Sequence, residues 1–195
     1  MASNADSMRR NMMMAMTVLP LTGAAASANP VRQNVRPGSA ALVAYFSRSG
    51  NTRVVAGLIQ RALAADLFEI QPARPYPDDY LATVEEARKE RDSGHERALA
   101  CKVPDIAHYE TIFLGFPIWG ETTPSIIRAF LSVHDLSGKV LTPFITHGGY
   151  GLGNSYAVLA RATPKAQIQR GFVMEADQER RTMNQVNDWL KALNA

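Results

Sequence analysis

Three short segments of this 195-residue chain combine residue types suited to holding a ligand rather than filling a core. The first is Ser47-Arg48-Ser49-Gly50-Asn51-Thr52, which follows a short apolar run and leads straight into a helical pattern. Backbone N–H groups at a helix start are unpaired and carry a partial positive charge. Ser47, Ser49 and Thr52 add three hydroxyls, and Gly50 permits close approach of the backbone. Together they make a phosphate cradle; the plainer alternative is an ordinary capped strand–helix turn. Neither G-x-x-x-x-G-K-[ST] nor G-x-G-x-x-G occurs in the chain, which excludes the usual triphosphate loop and dinucleotide fingerprint.

The second segment is Pro117-Ile118-Trp119-Gly120-Glu121. A Trp in such a loop offers a broad ring for stacking, or a lid over the sheet edge. Trp189 differs, because it falls on the apolar stripe of a helix and belongs to the core. The third segment is His147-Gly148-Gly149-Tyr150-Gly151-Leu152-Gly153. Its glycines expose backbone amides to a planar group, or simply tolerate sharp turns, and Tyr150 is a second stacking surface.

The elements that would position these segments alternate between two periodicities. Short apolar runs at Ala40–Phe46, Asp66–Ile70, Thr111–Phe116, Val140–Thr146 and Ile168–Met174 suit buried parallel strands, although Pro143 removes a ladder donor from the fourth. Between them lie helical patterns over 52–64, 78–92, the stretch opened by Thr123-Pro124, 152–162 and the region around Thr182–Leu193. In the 78–92 helix Leu81, Val84 and Ala87 share a side, with Asp78 or Asp79 as cap and Gly94 as stop. The pattern predicts an α/β fold: a doubly wound five-stranded parallel sheet with helices on both faces. Ligands of such sheets bind beyond the carboxyl ends of the strands, where all three segments fall. A planar polar ring with a phosphate tail suits all three.

Residues 1–28 read as an export signal: Arg9-Arg10, a soft apolar stretch from Met12 to Ala26, then Ala26-Ser27-Ala28 before Asn29-Pro30. The stretch is too short for a stable membrane span, and the paired arginines resemble a twin-arginine signal, an address to the periplasm. Residues 29–39 read as a linker and 40–195 as the folded domain. Lys and Arg number 21 against 18 Asp and Glu, with the signs interspersed, so no nucleic-acid groove is expected. Cys101 is the one cysteine, which excludes an intrachain disulfide, and the four scattered histidines argue against a structural metal.

These segments, in this order, resemble the flavodoxin family. The family's phosphate-loop pattern [TS]-x-[TS]-G-x-[TS] is met by Ser47, Ser49, Gly50 and Thr52, and the loops F-P-I-W-G and H-G-G-Y-G look like those of a flavodoxin-like subgroup. That subgroup also carries Y-P-x-x-Y after the second strand, here Tyr76-Pro77-Asp78-Asp79-Tyr80. The resemblance implies non-covalent FMN, its ring between the loops bearing Trp119 and Tyr150, and one-electron chemistry through a semiquinone. It implies a backbone peptide that turns with redox state, with Trp119-Gly120 as the candidate. Flavodoxins are typically acidic, which steers them to basic redox partners; this chain is mildly basic, so a redox partner protein is expected without the family's usual partners being implied. Arg48 either neutralises the phosphate or points to solvent, and Tyr76 and Tyr80 either line the flavin edge or pack the charged helix.

The competing reading within this fold is an NAD(P)H-dependent quinone or nitro-compound reductase, with a small quinone-like acceptor and His147 as proton donor. Gly153-Asn154-Ser155-Tyr156-Ala157 approximates a hydrolase nucleophile elbow, but no His follows it and Ser155 does not directly follow its strand.

Overall fold

The computed structural model describes residues 40–175 and 179–193. The signal and linker expected over 1–39 lie outside the described residues. Five parallel strand positions stand in the order 2-1-3-4-5. They are β1 (Ala41–Tyr45), β2 (Asp66–Glu69), β3 (Thr111–Pro117), β4 (Val140–His147) and an edge strand in two pieces, β5 (Gln167–Ile168) and β6 (Phe172–Glu175). The helices are α1 (Asn51–Leu63), α2 (Tyr80–Ser93), α3 (Ser125–Val133), α4 (Ser155–Ala162) and α5 (Glu179–Leu193). This is the doubly wound α/β architecture expected from the sequence, and no helix among the described residues is long and apolar enough to cross a membrane.

Alternation along each buried strand feeds two cores. Leu42, Ala44, Ile112, Leu114 and Ile145 face α3 and α4, meeting Ile127, Phe130 and Leu159. Val43, Tyr45, Phe113 and Phe144 face α1 and α5, meeting Val55, Ile59, Val186 and Leu190. Each large side chain buried this way contributes roughly 1.5–3 kcal/mol. Trp189 packs on Phe113 and Phe172 with ring centroids 6.0 and 5.8 Å away, a core role as expected.

Three elements depart from expectation. The fifth strand is interrupted: β5 ends where Ile168 pairs Leu141, and β6 begins where Phe172 pairs Phe144. A Cβ on Gly171 would sit 1.8 Å from the Pro143 carbonyl oxygen, so that carbonyl faces the edge strand. A strand residue's N–H and C=O point the same way, so the donor that Pro143 lacks is missing on the side where pairing breaks. Helix α3 starts one residue late, with Pro124 as its N-cap and no side-chain cap bond. The hydroxyl of Thr123 is buried without a hydrogen-bond partner among the described residues, so it is not the cap. Helix α4 likewise begins at Ser155 rather than 152.

Helix α2 is the largest departure. Asp79 caps it, accepting from Ala82 N–H at 2.8 Å, and Gly94 at φ 69 ends it, both as expected. Its apolar residues nonetheless face outward: Leu81 is 72% and Val84 46% exposed. The buried residues are Thr83 and Glu90 instead. Thr83 donates to the carbonyls of Pro77 and Asp79, and Glu90 enters a polar cluster that outweighs the apolar stripe.

One buried histidine gives the fold a pH dependence. His134 Nε2 accepts from Val103 N–H at 3.0 Å, so Nδ1 carries the proton and donates to Phe130 O at 2.7 Å. Burial pushes its pKa below the ordinary 6.5, against the pull of the Phe130 carbonyl. The folded state therefore refuses a proton that the unfolded chain accepts below about pH 6.5. The stability this residue contributes is complete above that pH and is lost as pH falls through 6.5 toward the folded value. Urea unfolding of the wild type will show a loss of stability from this site as acid is added, at most about 1.4 kcal/mol per pH unit. His134→Gln keeps one donor and one acceptor and will flatten that part of the profile. An unchanged profile in the variant would refute the assignment.

Candidate functional site

The order 2-1-3-4-5 reverses direction between β1 and β3, and the loops after β1, β3 and β4 converge there. The loop after β1 closes on itself, with Gly50 N–H donating to Ser47 Oγ at 3.1 Å. Gly50 caps α1 at φ 97, a conformation that favours glycine. The first bond of the helical ladder runs from Val54 N–H to Gly50 O, so the N–H groups of Asn51, Thr52 and Arg53 precede it. A phosphate cradle at this segment would use those groups.

Its hydroxyls divide differently from expectation. Ser49 is exposed, whereas Thr52 is buried and its hydroxyl bonds Thr146 at 2.9 Å, tying α1 to the end of β4. Arg48 is exposed, and its Nη2 donates to Asp78 O at 2.7 Å. It thereby straps the segment after β2 to the cradle. A hollow of ≈ 540 Å³ opens between them, lined by Phe46, Ser47, Arg48, Tyr76 and Pro77 among others.

The loop after β3 is a tight turn. Trp119 N–H donates to Thr122 O at 3.1 Å, and Thr122 N–H returns a bond to Trp119 O at 3.3 Å. Gly120 and Glu121 between them have φ 55 and 64, the pattern of a type I′ turn. Trp119 O is therefore engaged by Thr122, and Gly120 O accepts from Arg91 Nη1 at 3.5 Å; beside the expected Trp119–Gly120 peptide stands Gly120–Glu121. Turning it would relieve Glu121, a non-glycine residue held in the left-handed region. Trp119 is half-buried, edge-on to Tyr76 at 4.8 Å and Phe46 at 5.3 Å between centroids. Pro117 and Ile118 are half-buried beside it.

In the loop after β4, Gly148 and Gly149 are exposed and Tyr150 is 80% exposed. His147 Nδ1 accepts from the N–H groups of Gly149, at 3.1 Å, and Gly151, at 3.3 Å. Two donors at Nδ1 place the ring proton on Nε2. The histidine shapes the glycine loop, and a proton on Nδ1 would face two N–H groups.

Gly153, the last glycine of the third segment, joins two of the loops. A Cβ there would lie 1.9 Å from Glu121 O, Asn154 N–H donates to that same oxygen at 3.1 Å, and Thr122 Oγ1 donates to Asn154 Oδ1 at 2.6 Å. Only the density of glycines over 148–153 hinted at such a contact. Ser155 is fully buried and donates to Leu152 O at 2.7 Å, so it is no nucleophile. Among the described residues no cluster of His, Cys, Asp or Glu could hold a metal ion.

The comparisons agree with this geometry. A family model described as Flavodoxin matches residues 40–193. The chain is 32% identical to a candidate flavoprotein from Bacteroides uniformis ATCC 8492, covering 79% of this chain and 99% of that one, with a TM-score of 0.70. A second candidate flavoprotein, from Bacteroides eggerthii DSM 20697, is also 32% identical, with coverages of 80% and 98% and a TM-score of 0.68. A flavoprotein of Lactobacillus acidophilus NCFM, solved in complex with FMN, shares the fold at 20% identity and a TM-score of 0.60, over 74% of this chain and 97% of that one. No similar sequence was found among curated proteins.

Two glycines separate scaffold from site. Gly153→Ala forces a methyl into the Glu121 carbonyl at positive φ and will cost about 2–4 kcal/mol in urea unfolding. A Cβ on Gly148 meets nothing within 4 Å, so Gly148→Ala will leave the free protein within about 0.5 kcal/mol of wild type. Equal stability of the two variants would show that the loops are not locked at Gly153.

Proposed function

Since the chain belongs to the flavodoxin family, we propose that it binds FMN at these three loops and passes electrons through it, as a carrier. The observation that carries this reading is the cradle: unpaired N–H groups of Asn51, Thr52 and Arg53 at the start of α1, closed by the Ser47–Gly50 bond. A phosphate suits that end of a helix because the amides and the helix dipole both favour negative charge. The exposed backbone of Gly148 and Gly149 leaves room for a flat ring, and Trp119 supplies an aromatic wall. Bound there, FMN supplies the one- and two-electron chemistry that no side chain of this protein offers.

What the chain's own residues do is hold and tune. His147 orders the glycine amides, Arg48 straps the neighbouring segment, and Gly120–Glu121 presents a carbonyl and an N–H whose directions exchange if that peptide turns. The competing reductase reading would use His147 as proton donor; here its Nδ1 is taken up by the amides of Gly149 and Gly151. Export before residue 29 remains part of this proposal, with a redox partner protein met outside the cytoplasm.

Titration of the full chain with FMN, followed by stepwise reduction with dithionite under visible spectroscopy, tests it. Binding with reduction in two separate one-electron steps is expected. A single two-electron step would move the assignment to the reductase. A folded protein that leaves FMN free would overturn the proposal. Gly148→Ala, which spares the free protein, will weaken FMN binding roughly tenfold, about 1.4 kcal/mol, by placing a methyl where the ring approaches.

A further inference from the structure

Helix α2 buries a charge where it had apolar residues to offer. Glu90 and Arg97 have side chains only 8% exposed, and Arg97 Nε donates to Glu90 Oε1 at 2.7 Å. Taking two charges out of water is costly, and well-packed apolar residues of similar size would serve stability as well. The pair needs another reason, and its contacts point to one.

Both carboxylate oxygens of Glu90 are engaged. Oε2 accepts from Tyr76 Oη at 2.9 Å and from Ser125 Oγ, the first residue of α3, at 2.5 Å. Arg97 completes the clasp from the other side. Its Nη1 donates to Arg74 O at 2.6 Å, its Nη2 pairs Glu86, and its guanidinium carbon lies 3.8 Å from the centroid of the Tyr76 ring. Tyr76 thus has its hydroxyl bonded and one ring face covered. Burial pushes its phenol pKa up, so the hydroxyl stays a donor to Glu90. The ring then meets Trp119 edge-on at 4.8 Å.

We propose that Glu90 is a positioning residue for the flavin site: its buried carboxylate, clasped by Arg97, fixes Tyr76 and through it the Trp119 ring. The proposal rests on the FMN reading for its function, and on the contacts alone for its geometry. Helix α2 turns its apolar side outward because this carboxylate must face Tyr76 and Ser125. A water-filled gap in place of the clasp would leave the turn at Trp119 free to move its ring.

The test uses the full chain carrying Trp189→Phe, so that Trp119 is the one remaining tryptophan of two. Without ligand, Glu90→Gln will raise acrylamide quenching of Trp119 at least twofold, because the neutral amide cannot hold Arg97 and accept from both hydroxyls. With FMN, the same variant will bind about tenfold more weakly and recover part of the flavin fluorescence that a stacked Trp quenches. Tyr76→Phe keeps the ring and loses the hydroxyl's bonds to Glu90 and, at 3.3 Å, Ser125; it will move both readouts in the same direction, about threefold, and carries the test if Glu90→Gln does not fold. Wild-type quenching and FMN affinity in folded variants would overturn the proposal. A wild type that ignores FMN would instead sink the functional reading, and the quenching of Trp119 would still decide the positioning role.

Discussion

Parallel strands share one direction, and that constraint arranges everything else in this molecule. Each of β1, β3 and β4 ends at the same edge, so three loops far apart in the chain must meet there. The helix that follows β1 must start at that edge too, with its unpaired N–H groups pointing into it. A cradle for negative charge beside two aromatic-bearing loops is therefore a product of topology before any side chain is chosen. Pairing of Leu114 with Ala44 and with Pro143 sets the heights at which the loops leave the sheet.

Within that frame the loops are held by contacts of different kinds. The β1 loop closes through its own Ser47–Gly50 bond and the buried Thr52–Thr146 hydroxyl pair. The β3 and β4 loops lock through backbone, at the approach of Gly153 to Glu121. The segment after β2 is tied by two arginines, Arg48 on its outer side and Arg97 beneath it. Ion pairs elsewhere are exposed, such as Lys89–Glu85 at 3.6 Å, and such surface pairs contribute at most about 1 kcal/mol each. The buried Glu90–Arg97 pair is of another kind, because removing one partner strands the other in a place with little water.

Much of this was legible in the residues. Apolar runs alternating with helical spacing sufficed for the fold, because burial on both faces demands continuous apolar strands. The three ligand loops stood out for the same reason in reverse: Gly, Ser and Trp at strand ends fill no core. Less legible were Thr52 and Arg48. A threonine in a phosphate-loop pattern reads as a free hydroxyl until the end of β4 is seen beside it. An arginine in that loop shows its charge in sequence but not the carbonyl of Asp78, 30 residues away, that it finds.

The sequence by itself determined the order of the elements, the edge at which the candidate ligand loops gather and the kind of cofactor. These follow from local periodicity and from residue types, which need no partner to be read. Only the tertiary structure decided which way α2 faces, where the last strand breaks and which glycine joins two loops. Each of those depends on a contact between residues distant in the chain: Glu90 with Tyr76, Pro143 with Gly171, Gly153 with Glu121. A periodic pattern assigns apolar residues to the inside, but a buried carboxylate with three donors outranks it, and the donors come from two loops and the start of α3.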